Sequence, residues 1–191
     1  EKEDLVEFLK SNEISIQPLF PVTSARFQRL DSKKEIDRTF NFTWMDKLPE
    51  GNEVIAGKWF ENENNGISIS SEISERYELQ VNDQILIDVA GKKINSYIQS
   101  IREVNWENFS PNFFAIGFPD DFKEISSTFI TSFHIPQEKK PLSSELMKTF
   151  PTISYISLDA IILEVQTIIS KVSQALKLIL GLTLIAGLFL M

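Results

Sequence analysis

The spacing of apolar residues changes several times along this chain, and each change predicts a different element. In EKEDLVEFLKSN the residues Leu5, Val6, Phe8 and Leu9 share one helical face, acids crowd the first turn, and Asn12 stands where the helix would end. EISIQPLFPVTSARFQRL then reads as extended. Pro18 and Pro21 cannot donate to a ladder, which predicts an edge strand or a bulged one. After the polar bridge DSKKEID, the runs RTFNFTWMD and NEVIAGKWF are short, aromatic and β-branched, with the turn KLPEGN between them. ENENNG is a loop, ISIS is a short strand, and Ser71 is placed to cap a helix carrying Glu72 and Glu75. ILIDVAGKKINSYIQSI has the form of a hairpin turning at Ala90-Gly91.

Beyond residue 108 the pattern alternates. PNFFAIGFP and STFITSFHIP predict strands around the short helical piece DDFKEI, LSSELMKTF predicts a helix opening at Ser143 or Ser144, and TISYISL predicts a strand. From Asp159, read as an N-cap, Ile161, Ile162, Val165, Ile168, Ile169, Val172 and Leu176 recur at helical spacing. Only Gly181 and Gly187 interrupt the run to Met191, and Lys177 marks the point where its polar faces end.

The expected fold is α+β. An α/β subdomain is made from both chain ends (1–33 and 109–158), with a β-rich subdomain (34–108) inserted between its halves. A stalk helix (159–177) and an apolar run (178–191) follow. The fourteen residues of that run carry no charge. As a helix they reach only ~21 Å against the ~30 Å of a bilayer core, which predicts the front part of a transmembrane helix. Lys177 would then sit at the membrane boundary, its stem reaching for the headgroups. The other reading of the run is a buried C-terminal core helix.

Composition narrows the function classes. The chain has 191 residues, 42% hydrophobic and 24% charged, enough for one domain or two small ones with a real core. Its net charge of −8 argues against a nucleic-acid surface, and the absence of cysteine excludes disulfides and thiolate chemistry. EKEDLVEFLK is charged and amphipathic and has no apolar h-region, so an extracytoplasmic placement needs a segment upstream of Glu1.

Catalytic signatures are lacking. His134 is the single histidine and lies in an apparent strand, no G-x-S-x-G is present, and GKK at 91–93 lacks Walker spacing. Asp120-Asp121 reads as a solvated turn or helix cap rather than a cation site. No catalytic residue, metal ligand or cofactor is assigned. Trp44, Trp59, Trp106, Phe113 and Phe114 either line a surface for an apolar ligand or form the core of the β-rich part.

FNFTWMDKLPEGNEVIAGKWF and SIREVNWENFSPNFFAIGFPDDFKEISSTFITSFHIP resemble the extracytoplasmic domain of YbbP-type ABC transporter permeases, within the FtsX-like, MacB-type group. The similar residues include Thr43-Trp44, Leu48 to Asn52, Gly57, Trp59, Trp106, Pro111 to Phe114 and Ile130 to Phe133. LFPVTSARF near the start and FPTISYISLDAIILEVQTIISKVSQAL near the end extend the resemblance through the chain. Two departures stand out: Asn82 replaces a usual glycine, which predicts a less left-handed turn, and Ser110 stands where a basic residue is expected.

The resemblance implies a porter-like subdomain with an inserted β subdomain, facing the periplasm or cell exterior from a bacterial inner membrane. Its implied partners are a cytoplasmic ABC ATPase subunit, the permease's remaining transmembrane helices and its second outer domain. A lipid-like substrate and a periplasmic lipase or thioesterase complete the set. In this picture ATP hydrolysis occurs on the separate subunit and drives extraction or export of hydrophobic compounds. The motion passes through the stalk, represented by Asp159, Ile162, Val165, Ile169 and Val172. The alternative is an extracytoplasmic ligand-binding sensor domain of a membrane receptor, which calls for a specific ligand pocket. A membrane-anchored lipid hydrolase has no residue support.

Overall fold

A computed structural model describes residues 2–30, 36–60, 66–106 and 110–189, and of these the side chains at 37, 184–186, 188 and 189 are not described. Most of the DSKKEID bridge, the ENENNG loop up to residue 65, residues 107–109 and the last two residues lie outside them. Contacts divide the chain into residues 1–135 and 136–191. The fold is mixed α+β.

The first unit opens with helix α1 (Lys2–Ser11), burying Leu5 and Leu9. Asn12 ends it as expected, its Nδ2 donating to the Phe8 carbonyl at 2.8 Å. Among the described residues eight strands follow: β1 (Phe20–Arg29), β2 (Asp37–Trp44), β3 (Asn52–Gly57), β4 (Gly66–Ser70), β5 (Gln84–Val89), β6 (Lys92–Val104), β7 (Ala115–Gly117) and β8 (Thr128–Ile130). Helices α2 (Ser71–Tyr77) and α3 (Pro119–Phe122) interrupt them.

Six strands pair in the order β2, β7, β4, β6, β5, β1, and β1 pairs again with β2, so the sheet closes on itself like a barrel. β8 continues from β1 and β3 from β6. One sheet therefore joins β1, β7 and β8, from the expected flanking parts, to the strands of the expected insert. The pairing is mixed: β2 with β7 and β4 with β6 are parallel, and the others antiparallel.

Side-chain alternation fills the interior. Ala25 and Phe27 of β1, Phe40 and Phe42 of β2, and Ile85, Ile87 and Val89 of β5 point into one cluster with Ile67, Ile69 and Ile98. Burying each of the large ones contributes about 1.5–3 kcal/mol relative to leaving it exposed. Every residue of β4 is buried, which is why ISIS stands out so little as an alternating pattern.

Pro21 lies within β1, opposite Phe129 of β8 and ahead of the first β2 pairing at Val22. The edge-strand reading thus holds only for the first residues of β1, and the rest is central. The hairpin turns at Ala90 (φ 52°) and Gly91 (φ 82°), both left-handed, as a two-residue loop of this hand requires. Asn82 also has φ 73°, so the turn keeps its left-handed form without glycine. Asn tolerates that region, and two bonds pin it: Asn82 N–H to Ile98 O at 2.8 Å and Ile98 N–H to Asp83 O at 2.9 Å.

Helix α2 is preceded by Ser70, not Ser71, at its N-cap, and no side chain bonds there.

In the second unit a 3-10 turn (Gln137–Lys139) leads to α4 (Pro141–Thr149), which buries Leu142 and Leu146. Pro141, with its preset φ, starts this helix rather than Ser143, whose hydroxyl donates back to Lys140 O at 2.8 Å. TISYISL forms no strand; residues 154–157 are irregular. Helix α5 then runs from Leu158 to Phe189, 32 residues. Ser157 rather than Asp159 caps it, its Oγ accepting from Ala160 N–H at 3.4 Å, and Asp159 sits in the first turn.

Candidate functional site: a buried arginine beside an exposed aromatic pair

The least expected side chain inside the first unit is Arg102 of β6, fully buried on a strand that also buries Ile98, Ile101 and Val104. A guanidinium in that position must have its protons accepted by protein groups, since water is excluded. Nε donates to Ser68 Oγ at 3.0 Å, Nη1 to Asn52 Oδ1 at 2.5 Å and Nη2 to the Phe113 carbonyl at 2.8 Å. One side chain thus ties β6 to β4, to the start of β3 and to the run entering β7. The network continues outward. Ser100 Oγ donates to Ser68 Oγ at 2.8 Å, Asn52 Nδ2 to Asn112 Oδ1 at 3.0 Å, and Asn112 Nδ2 to Asn105 O at 2.9 Å.

Burial pushes the Arg102 guanidinium down to about 10, and the nearby Glu72 charge acts in the opposite sense. It stays charged at neutral pH.

Glu72, in the first turn of α2, accepts from the Trp106 indole N–H at 2.5 Å. Desolvation would raise its carboxyl, but the Ser70 hydroxyl, the Trp106 N–H and the Arg102 charge outweigh that and hold it below its ordinary 4.5. Ser70 Oγ is buried and reaches no partner at hydrogen-bond geometry, so it acts on Glu72 as a nearby dipole.

A carboxyl lowered on folding stabilises the fold above its unfolded value, and that contribution is lost as pH falls through the folded one. Glu72→Gln should therefore flatten the acid side of the melting-temperature profile while leaving the slope above pH 6 unchanged. Melts of both proteins from pH 7 to pH 3 check it, and superimposable profiles would remove Glu72 from the network.

The five aromatic residues singled out in the sequence separate into three places. Trp44 is core, stacked on Phe122 at 6.0 Å between centroids. Phe113 belongs to a second cluster with Met45, Phe60 and Ile116, against which Trp59 packs. Trp59 also anchors a turn, its indole N–H donating to Asp46 O at 2.8 Å. Trp106 and Phe114 remain together and partly exposed, 44% and 38%, with centroids 4.8 Å apart.

Phe114 also borders an apolar void of about 10 Å³ with Phe27, Phe40, Ile69 and Ile98, room for one water at most. An open groove of about 450 Å³ lies elsewhere, lined by Ala56, Glu75, Glu78, Leu79, Val81 and Ile101 and by none of the five aromatics.

Arg102 and Glu72 were not singled out by sequence reasoning. The usable signal was an arginine directly after the uncharged SYIQSI run, two residues beyond Ser100.

The stalk residues lie along α5, where Ile162, Val165, Ile169 and Val172 are all exposed. Asp159 and Lys177 are exposed too. Among the described residues no helix is long and apolar enough to cross a membrane, and no group of three or more His, Asp or Glu could hold a metal. His134 is exposed.

Over 98% of its length the chain is 26% identical to an uncharacterized ABC transporter permease, YbbP, of Escherichia coli strain K12. It spans only 24% of that protein's length. Among solved structures it is similar to a domain of a candidate permease protein from Porphyromonas gingivalis. The match has a TM-score of 0.42 and 14% identity, and covers 75% of this chain and 74% of the other. No family model matches the chain. The resemblance to a YbbP-type ABC transporter permease, read from the sequence, is thus supported across nearly all of the chain.

Proposed function

We propose that this chain is the outer domain of an ABC-type permease and that it transmits motion rather than performing chemistry. The observation that carries the reading is the similarity to a permease over almost the whole chain. The continuous 32-residue α5 gives that reading a mechanical element.

In this proposal the domain faces the periplasm or cell exterior from a bacterial inner membrane. Residues 159–177 are the stalk, and 178–191 begin a helix that enters the bilayer at Lys177. A separate cytoplasmic ATPase subunit supplies the energy, and hydrophobic or lipid-like compounds are extracted or exported. A second outer domain and the remaining membrane helices of the same permease are the partners of the stalk. The exposed apolar residues of α5, from Leu158 through Ile162, Val165 and Ile169 to Leu182, support a helix made to pack in such surroundings. The partly exposed Trp106–Phe114 pair is the part of the aromatic set still available to an apolar ligand.

Val165→Pro tests the stalk. An interior proline removes a helix hydrogen bond, clashes with the preceding turn and costs ~3 kcal/mol or more. In the complete transporter we expect basal ATPase activity to persist while substrate transport falls to background. Normal transport in a variant shown to be kinked would overturn the proposal.

A further inference from the structure

The open groove of about 450 Å³ on the first unit is a place where the apolar core reaches the surface. Its floor is apolar: Leu79 and Ile101 belong to the main core cluster, and Ala56 and Val81 pack against it half-buried. Its rim is acidic, with Glu75 from α2 and Glu78 from the turn that follows, both exposed. No lysine or arginine lines it among the described residues, and Arg76, next to Glu75 on α2, lies outside it. The volume falls within the ~300–1,000 Å³ of small-molecule sites.

The acidic wall is held in place before anything binds. Ser74 Oγ donates to Leu79 O at 2.7 Å, and the Leu79 N–H returns a bond to Ser74 O at 2.9 Å. Arg29 Nη1 donates to the carbonyls of Tyr77 and Glu78, and its Nη2 to Asp83 Oδ2 at 2.8 Å. Asp83 Oδ2 also accepts from Gln80 N–H at 2.9 Å. The Glu75 carboxylate has no bonded partner among the described residues. Glu78 ends the helix at φ 55°, a left-handed position that glycine takes more easily. A glutamate here puts a carboxylate on the rim in spite of backbone strain.

We propose that this groove binds a free organic cation with an apolar body, of the amphiphilic-amine class. Charge complementarity carries the assignment. Two carboxylates flank an apolar floor that has no cation of its own, and the chain's net charge of −8 disfavours anions throughout. An ammonium at the rim is held by charge-assisted hydrogen bonds to the carboxylates, while its carbon body covers Leu79, Val81 and Ile101. A headgroup held in a bilayer would offer its charge alone, because its tails stay in the lipid, so a free molecule fits the floor better. The binding stands apart from the permease reading and is tested on this chain alone.

The test is a titration of the full chain, in non-ionic detergent at low salt and neutral pH, with phenethylammonium. It is followed at the amide resonances of Ala56 and residues 78–81. Saturable shifts are expected there, with a Kd of about 1 mM or tighter. Ethanolamine keeps the charge without the apolar body, phenylethanol the body without the charge, and phenylpropionate reverses the charge. Each of the three should bind about tenfold more weakly. Glu75→Gln and Glu78→Gly should each weaken phenethylammonium by about twofold to fivefold, and together by about tenfold. Glycine adopts the left-handed conformation freely, so Glu78→Gly should melt no lower than the original, which separates lost binding from lost folding. Should it melt lower, Glu75→Gln, at an exposed helix position, carries the charge test alone. Equal binding of phenylpropionate or ethanolamine overturns the proposal, as does undiminished affinity in the charge-removing variants. So does the absence of saturable shifts at these amides up to about 10 mM.

Discussion

Arg102→Ala should be the most damaging single substitution in the first unit, with a stability loss of about 3–5 kcal/mol. Three effects add. The side chain is fully buried, so its removal leaves a void between β6, β4 and β3. Its three acceptors, Ser68 Oγ, Asn52 Oδ1 and the Phe113 carbonyl, lose a charged donor while water stays excluded. Glu72 also loses the cation that helps keep it ionised.

Against this stands one gain, since a buried guanidinium pays a desolvation cost that the alanine variant avoids. That gain appears in its purest form in Arg102→Met, which fills much of the volume and carries no charge, and which should fall between the original and alanine. Arg102→Lys keeps the charge but cannot reach three acceptors from one fork, so it should not rescue. Urea unfolding followed by tryptophan emission reads all three. A loss under about 1 kcal/mol for alanine would mean that the network relaxes around water.

Gly57→Val is the second. Gly57 closes β3 at φ 75°, and a Cβ there would lie 2.1 Å from the Gln99 carbonyl oxygen and 3.0 Å from Ser100 Cα. Neither atom can move aside cheaply, because both belong to β6, which pairs with three other strands. The left-handed backbone alone costs a non-glycine residue about 1–2 kcal/mol. The collision comes on top, so we expect more than about 3 kcal/mol for valine and somewhat less for alanine.

Gly91→Ala separates the two causes. Its φ of 82° is similar, but nothing lies within 4 Å of the added carbon, so only the backbone part should appear. If Gly57→Ala and Gly91→Ala cost the same, β6 yields where its geometry says it cannot.

What could be read from the sequence was what local chemistry decides. The turn at Ala90-Gly91 was legible because short hairpins demand left-handed residues. The opening helix and the long final one were legible because their apolar residues keep one face over several turns. Caps were harder, since Ser157, Asp159, Ser70 and Ser71 are all competent and neighbouring geometry chooses among them. TISYISL carries a strand's composition but finds no partner strand, and composition alone does not make a ladder.

The closure of the sheet was not legible either. The parallel pairing of β2 with β7 depends on contacts between distant segments, and no local pattern announces it. Arg102 was hidden for a related reason: its acceptors come from three separated stretches, and only the folded chain brings them together. The aromatic set shows the limit from the other side. Five residues alike in chemistry were sorted by position into core, turn anchor and surface.

The ring of strands also sets a timetable. Phe42 of β2 has its parallel neighbour only when Ala115 arrives, and β4 lies between β6 and β7, both made after it. A chain delivered from its N-terminus therefore emerges with β2 and β4 complete but unable to close. Early segments must wait, with backbone groups bared, until Gly117 has cleared the exit. Rings assembled from such remote pairings form slowly, on the scale of milliseconds to seconds. For a domain threaded across a membrane as an unfolded strand, the vulnerable interval would be set by the passage of residues 71–117 rather than by the stability of the finished barrel.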